Sequence, residues 1–456
     1  MPAKFVLVGS GLAGGLLAAY LGRRGYDVDL YERRADPREG NMVGGRSINL
    51  AISTRGIHAL EQIGIADESL RHAIPMRGRM IHDRSGALHF AAYDVDPRKC
   101  INSIGRASLN AAVIEAAQRY PNVRVHFNHK CTDVDLAEAV CHLEKTGADV
   151  EATASTANPE IIKVGGDAVI GVDGAFSAVR ASMQRNINNF QYEESYLAHG
   201  YKELTIPPAA DGSFRLDPNA LHVWPRGGFM MIALPNPDGS FTCTLFWEFE
   251  GPRSFATTKT DDDVRRFFDE EFPDAVPLMP ALLEDFKNNP TGSLVTIRSA
   301  PWYYRDKVCL LGDAAHAVVP FYGQGMNAAF EDCVVLDECL DKFPHNRERA
   351  FAKYFECRKE NADALADLAI GNFIEMRDKT ASRTFRAKKK LDHLLEAALP
   401  GMYLPLYTMV TFTRIPYAQA ARRARLQDRI LYTALVTLVV IGILALAVLI
   451  ARSSRQ

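Results

Sequence analysis

The sequence predicts an α/β fold: a Rossmann-like dinucleotide-binding domain interrupted by an inserted antiparallel β-sheet, then a C-terminal helical region and one C-terminal transmembrane helix. Three observations carry that prediction. A short β-run, a glycine loop and a helix follow one another between residues 4 and 21; strand-like runs broken by Gly and Pro fill residues 200–250; and residues 430–451 contain no charge. The 456 residues, 47% of them hydrophobic, can bury large cores without a disulfide or metal staple. Lys plus Arg total 53 against 55 Asp plus Glu, a formal net charge of -2, which excludes a globally basic nucleic-acid binder and an acidic disordered chain. The eight cysteines include no CxxC pair, so no zinc ribbon or disulfide framework is indicated, and reduced thiols in a cytosolic setting are expected.

The first element is the run Lys4-Phe5-Val6-Leu7-Val8, which leads directly into Gly9-Ser10-Gly11-Leu12-Ala13-Gly14 and a helix. A second strand, Val28-Asp29-Leu30-Tyr31, ends in Glu32. Gly9, Gly11 and Gly14 allow a tight turn, close backbone approach to a pyrophosphate and tight helix packing. The helix N-terminus offers free N–H groups and a positive dipole end to phosphates. An acid at Glu32 can accept the ribose hydroxyls and disfavours a 2′-phosphate, so the tightly held nucleotide is FAD or NAD and not NADP.

Downstream pieces favour FAD. Val308-Cys309-Leu310-Leu311-Gly312-Asp313 is a buried-strand run ending in an acid that can bind a ribityl hydroxyl. It is followed by Pro320-Phe321-Tyr322-Gly323-Gln324-Gly325-Met326-Asn327 and a helix whose N-terminus can stabilise negative charge on a reduced flavin. Between the glycine loop and these pieces lies Ala168-Val169-Ile170-Gly171-Val172-Asp173-Gly174, with Ser177 and Arg180 behind it, and here Asp173 is expected near the phosphates.

In the middle of the chain, runs at 221–224, 229–234 and 241–247 read as strands of an antiparallel sheet. Residues 146–158 read as an exposed hairpin or loop, and helices are expected over 328–343, 347–378 and 387–398. The apolar stretch 430–451 is long enough to cross the ~30 Å hydrocarbon core. Arg422, Arg423, Arg425 and Arg429 precede it, whereas only Arg452 and Arg455 follow, so the large N-terminal part is expected on the cytoplasmic side. No signal peptide is expected. The expected domains are 1–75, 100–182 and 296–340 for the dinucleotide-binding part, 76–99 and 183–295 for the substrate-binding sheet, 341–429 for the helical region and 430–451 for the membrane helix.

Taken in order, the three glycine- and aspartate-bearing segments resemble the single-component, class A flavoprotein monooxygenases, the FAD-dependent aromatic hydroxylases, from Lys4 to about Asp332. Within that group the chain is similar to the kynurenine-hydroxylating branch. The strings that carry this are Gly45-Arg46-Ser47-Ile48-Asn49-Leu50-Ala51, Met76-Arg77-Gly78-Arg79-Met80, His199-Gly200-Tyr201-Lys202-Glu203-Leu204 and Pro218-Asn219-Ala220-Leu221-His222-Val223-Trp224-Pro225. Asn372-Phe373-Ile374-Glu375-Met376 and Tyr407-Thr408-Met409-Val410-Thr411-Phe412 extend it. The resemblance implies that Glu32, Arg33, Arg106, Asp313, Met326 and Asn327 hold FAD. It implies that Arg79, Tyr93, Asn372 and Tyr407 hold the amino-acid end of the substrate, and that Phe246, Phe321 and Met376 line its aromatic side with Gln324 close to the ring. Phe321 and Gln324 would position; no acid/base residue and no metal is implied.

The implied reaction is hydroxylation of L-kynurenine to 3-hydroxy-L-kynurenine with NADPH and O₂ through a flavin hydroperoxide, within tryptophan degradation toward NAD. NADPH would visit transiently, since no second nucleotide-binding domain is expected. From the residues alone, Arg79 also reads as a structural ion-pair partner, Tyr407 as a core aromatic and Met376 as a helix-face filler. His316 reads as structural. Two rival functions stay open: an FAD-dependent hydroxylase or epoxidase of another aromatic or lipid-like substrate, and a membrane-anchored, flavin-bound scaffold.

Overall fold

In a computed structural model of the chain, residues 2–39, 49–94, 96–146, 161–379 and 383–453 are described. Residues 45–48 of the Gly45 string and residues 147–158 of the expected hairpin lie outside them. A six-stranded sheet runs Tyr303–Tyr304, Val308–Leu310, Ala168–Gly171, Lys4–Val8, Asp27–Tyr31, Val123–His126. Its pairings are parallel except at the Tyr303–Tyr304 edge. The central strands are apolar almost throughout because a parallel sheet is covered on both faces, and Phe5, Val6, Leu7, Val169 and Ile170 are buried accordingly. The helix Leu12–Arg23 packs against the helices Arg106–Gln118 and Gly325–Lys342.

A seven-stranded sheet has the order Thr291–Ala300, Gln191–Ile206, Phe241–Glu248, Met230–Pro235, Ala220–Pro225, Gly78–His82, Leu88–Ala92. Its neighbours pair antiparallel, as alternating runs joined by Gly/Pro turns require, with one exception. Ala220–Pro225 runs parallel to Gly78–His82, in the register Leu221 opposite Arg79. A hairpin cannot make that pairing; a long crossover can, and the chain between these two strands supplies strands of the six-stranded sheet on the way.

The alternation of side chains gives the seven-stranded sheet two apolar faces. One bears Leu204, Ile206, Trp224, Met231 and Trp247 and is covered by Phe267, Phe268 and Phe272. The covering helix, Asp261–Glu271, starts in a Thr260/Asp263 capping box with three acids in its first turn, which suits the positive end of the dipole. The other face bears Val223, Met230, Phe246 and Leu294, and it packs against Phe321, Tyr322, Phe373, Met376, Met409 and Tyr417.

That second face meets the helical region. The helix expected to end at 378 is α-helical only over Arg347–Ile374 and continues as a π-turn, Glu375–Lys379. A π-turn shifts side-chain direction by inserting one residue per turn, and it does so here at Met376. The membrane-helix expectation also changes shape. Tyr417–Ser453 is one continuous helix of 37 residues, about 55 Å at 1.5 Å per residue. Tyr417, Ala418, Ala420 and Ala421 at its start are buried, whereas Ile430, Leu435, Leu438, Ile441 and Leu444 are exposed. Residues Tyr417–Leu444 are long and apolar enough to cross a membrane.

Candidate active site

The expected residues fall into two clusters, with an aromatic wall beside the second. At the first, the glycine loop joins the strand Lys4–Val8 to the helix Leu12–Arg23. Gly9 has φ +104°, and a Cβ there would stand 2.6 Å from the Val172 carbonyl oxygen. A Cβ on Gly14 would stand 1.9 Å from the Gly9 oxygen. These two glycines let the loop close on itself. Gly11 differs: a Cβ there would meet no heavy atom of the described residues within 4 Å. Glu32 is buried and accepts from the Ser10 N–H at 2.9 Å and from Arg34 Nε at 2.8 Å. Arg33 itself is exposed. Asp173, directly behind Gly9, accepts from Ser177 Oγ at 2.6 Å and from the N–H groups of Ala178 and Val179, which caps the helix Ala178–Asn186.

Asp313 opens a four-residue helix after the strand Val308–Leu310. Its side chain reaches accessible space, yet the surrounding protein raises its pKa through desolvation, opposed by His316 and Arg106. It therefore faces a cleft and not bulk water. Arg106, first residue of its helix, also lowers the pKa values of Tyr201 and Glu203, though burial keeps both raised, Glu203 to about 7. His316 is structural: its Nε2 lies 2.7 Å from Asp332 Oδ2, which also accepts from the Gly312 N–H at 3.2 Å and so fixes the residue before Asp313.

The second cluster surrounds Arg79. It is 8% exposed, its Cζ lies 5.2 Å from the Tyr407 ring centre and 5.9 Å from that of Tyr93, and it reaches Glu375 Oε1 only at 4.0 Å. Among the described residues, Arg79 Nε and the Tyr93 hydroxyl have no well-aligned hydrogen-bond partner, although Tyr93, Tyr407 and the Arg79 guanidinium lie close enough to interact. Burial lowers the Arg79 pKa, but Tyr407, Tyr93 and Glu375 oppose it and the net shift is upward, so the cation persists. Desolvation raises Tyr93, Tyr407 and Tyr322, leaving three neutral O–H donors.

The aromatic wall packs with Tyr322 and Tyr407 of the second cluster. Phe321 stacks on Phe373 at 4.1 Å and tilts against Phe246 at 4.8 Å. Phe246 pairs across strands with Tyr201, beside the Arg106 charge. Asn372 donates to the Phe321 carbonyl at 2.7 Å and lies 3.4 Å from Met376 Sδ, so its amide holds the wall. Gln324 is buried, donates to Ser53 Oγ at 3.2 Å and accepts from the Tyr417 hydroxyl at 3.1 Å. Asn327 is fully buried, donating to the carbonyls of Ala51 and Gly323 and accepting from the Ser53 N–H. Gly325 and Met326, at the start of the helix Gly325–Lys342, are half-buried. Sequence reasoning did not single out Phe373, Tyr417 or Glu203 as site residues. Phe373 was legible as the neighbour of Asn372, whereas nothing in the sequence marks Tyr417.

This donor set fits a flavin dinucleotide: a closed glycine loop at a helix N-terminus, a buried acid on the second strand, and a second acid facing the cleft. A family model described as "FAD binding domain" matches residues 3–369. A kynurenine 3-monooxygenase from Salinispora tropica is 48% identical over 97% of this chain and 95% of its own length. One from Myxococcus xanthus is 47% identical over 93% and 89%. The chain belongs to the kynurenine 3-monooxygenase family. It is thus an FAD-dependent flavoprotein monooxygenase by family. The solved structure of 2-methyl-3-hydroxypyridine-5-carboxylic acid oxygenase matches with a TM-score of 0.65 at 20% identity, covering 87% of this chain and 96% of that one, which shows the shared fold.

Proposed function

We propose that the chain hydroxylates L-kynurenine to 3-hydroxy-L-kynurenine at the expense of NADPH and O₂, with FAD held by Gly9, Gly11, Gly14, Glu32, Arg106 and Asp313. The observation that carries the substrate is Arg79, a buried cation whose Nε makes no hydrogen bond among the described residues, beside the Tyr93 and Tyr407 hydroxyls. A carboxylate entering this pocket receives two parallel N–H bonds from the guanidinium and O–H bonds from tyrosines that stay protonated. Holding the acidic end fixes where the ring lies, and such positioning lowers the barrier by several kcal/mol.

FAD, when bound and reduced by NADPH, supplies dioxygen activation, which side chains cannot. The chain's own task is to keep that region dry. Phe246, Phe321, Phe373 and Met376 present apolar surface there and exclude water. Asn372 fixes Phe321 through its carbonyl, and Gln324 is held from both sides by Ser53 and Tyr417. A small acid-bearing substrate suits Arg79 better than a lipid-like one does, because an uncharged chain would leave the buried cation with only Glu375, at 4.0 Å, to offset it.

The same reading places the exposed part of the helix Tyr417–Ser453 in a bilayer. Arg422, Arg423, Arg425 and Arg429 precede its apolar run and keep the catalytic part on the cytoplasmic side. The test of the activity is NADPH oxidation by the purified yellow protein. L-kynurenine should accelerate it and yield hydroxylated product matching the NADPH consumed. Peroxide alone, whatever aromatic is offered, would overturn the assignment.

A further inference from the structure

The helix Arg383–Ala398 is amphipathic in the wrong sense for water. Its acids Asp392 and Glu396, one turn apart, are each only 7% exposed, while Leu391 is 40% and Leu394 65% exposed. The turn that follows continues the pattern, with Leu399 at 43% and Met402 at 77%. A helix on an aqueous surface buries its leucines and exposes its acids. Here Tyr403 instead donates its hydroxyl to the inward Asp392 at 2.6 Å, so the inverted arrangement is built into the packing.

This element is strapped to one level of the long helix. Arg423 donates to the carbonyls of Gly401 at 2.7 Å and Met402 at 3.0 Å; Gln427 donates to that of Leu404 at 3.0 Å; Lys388 pairs with Asp428 at 3.1 Å. All these anchor points fall just ahead of Ile430, where the exposed apolar part of the helix begins. We infer that Arg383–Ala398 and the turn through Met402 form a second membrane-contact element, lying in the plane of an anionic bilayer with Leu391, Leu394, Leu399 and Met402 in the headgroup–acyl boundary.

Two features select a lipid surface over a second copy of the chain. The Gly401–Leu404 turn is bonded to Arg423 and Gln427, directly ahead of the exposed apolar run that starts at Ile430, and Arg425 and Arg429 are exposed on that stretch of the helix, where a copy would meet them with like charge. Helices with an apolar face and basic neighbours bind this boundary ~5–10 Å deep, more tightly where lipids are anionic. The inference rests on the anchor reading of the long helix and extends it from one contact to two.

The test uses the full chain with Leu394→Trp or Met402→Trp, incorporated into phosphatidylcholine vesicles with and without phosphatidylserine. The three native tryptophans, at 0%, 1% and 0% exposure for Trp224, Trp247 and Trp302, give a constant background. The added indole should shift to the blue, be quenched by acyl-brominated lipid, and lose most of its acrylamide quenching, more completely with phosphatidylserine. A protein that floats with the vesicles while acrylamide reaches the new indole as freely as in detergent-free buffer would overturn the inference and leave the anchor standing. Failure to float would overturn the anchor itself. A blue shift without quenching by brominated lipid would mean that protein covers the helix, which also overturns it.

Discussion

At Arg79 the fold holds a buried cation that Glu375 offsets only from 4.0 Å. A buried charge left in that state costs several kcal/mol, and a ligand carboxylate offsets it. Arg79→Ala should therefore weaken L-kynurenine binding by ~1.5–3 kcal/mol, roughly 10- to 100-fold. Arg79→Lys should recover only part of the loss, since an ammonium cannot make the paired bonds. Titration of the flavin absorbance with L-kynurenine reads both, and flavin content should stay at the wild-type level; a colourless Arg79→Ala protein would contradict the role. Apart from the family resemblance, nothing in the sequence separates Arg79 from Arg77, two arginines around one glycine. Arg77 is exposed just ahead of the strand Gly78–His82, whereas Arg79 within it pairs with Leu221 from a distant segment and is buried. That pairing is not local, so no local pattern announces it.

Elements separate roles that single motifs merge. In the glycine loop, Gly14→Ala places a methyl 1.9 Å from the Gly9 oxygen and must open the turn, so the variant should purify without FAD or fail to fold. Gly11→Ala adds a methyl that meets no atom of the described residues within 4 Å, at a φ of -71° that alanine accepts. The apoprotein should melt at the wild-type temperature yet bind FAD about tenfold or more weakly, because the methyl intrudes only where the pyrophosphate comes close. Melting of apoprotein and flavin-fluorescence titration distinguish the two variants.

The seven-stranded sheet gives a pH prediction of its own. His222, 1% exposed, lies against His82 at 2.8 Å and the Asp217 carbonyl at 2.8 Å, and burial pushes its pKa down to about 4. Its folded pKa lies below the unfolded value of 6.5. The unfolded chain then binds the extra proton first, and stability falls as pH drops from about 6.5 to about 4, by roughly 3 kcal/mol in all. Urea unfolding across this range should show that slope in the wild type and lose most of it in His222→Asn. The strands were legible because alternation and Gly/Pro turns are local signals. The parallel seam and the π-turn at Glu375–Lys379 were not, since one depends on a remote segment and the other leaves helical periodicity almost unchanged.

Over the whole molecule, three motifs spread from Gly9 to Asn327 were enough to expect one cofactor, because only a shared ligand needs all of them. The seating of the tail was hidden, since a lone tyrosine in an alanine-rich run carries no signal. Tyr417 is fully buried, donates to Gln324, and lies under the Arg55 guanidinium at 4.1 Å; Arg55 in turn pairs with Glu331 at 2.9 Å and donates to the Ile415 carbonyl. The long helix thus begins inside the catalytic core and ends outside it. Cutting after Asp428 keeps every one of these contacts, as well as the straps from Arg423 and Gln427. That protein should leave the membrane pellet in high salt with its flavin and wild-type coupling of NADPH to product. Cutting after Pro416 removes the Tyr417 ring from the core, a loss of ~3–5 kcal/mol by analogy with large aromatic truncations, and strips Gln324 of one of its two partners. This shorter protein should melt lower and lose flavin, as read by the visible-to-ultraviolet absorbance ratio. If both truncations kept flavin and stability alike, the root of the helix would be dispensable and its contact with Gln324 would have no structural weight.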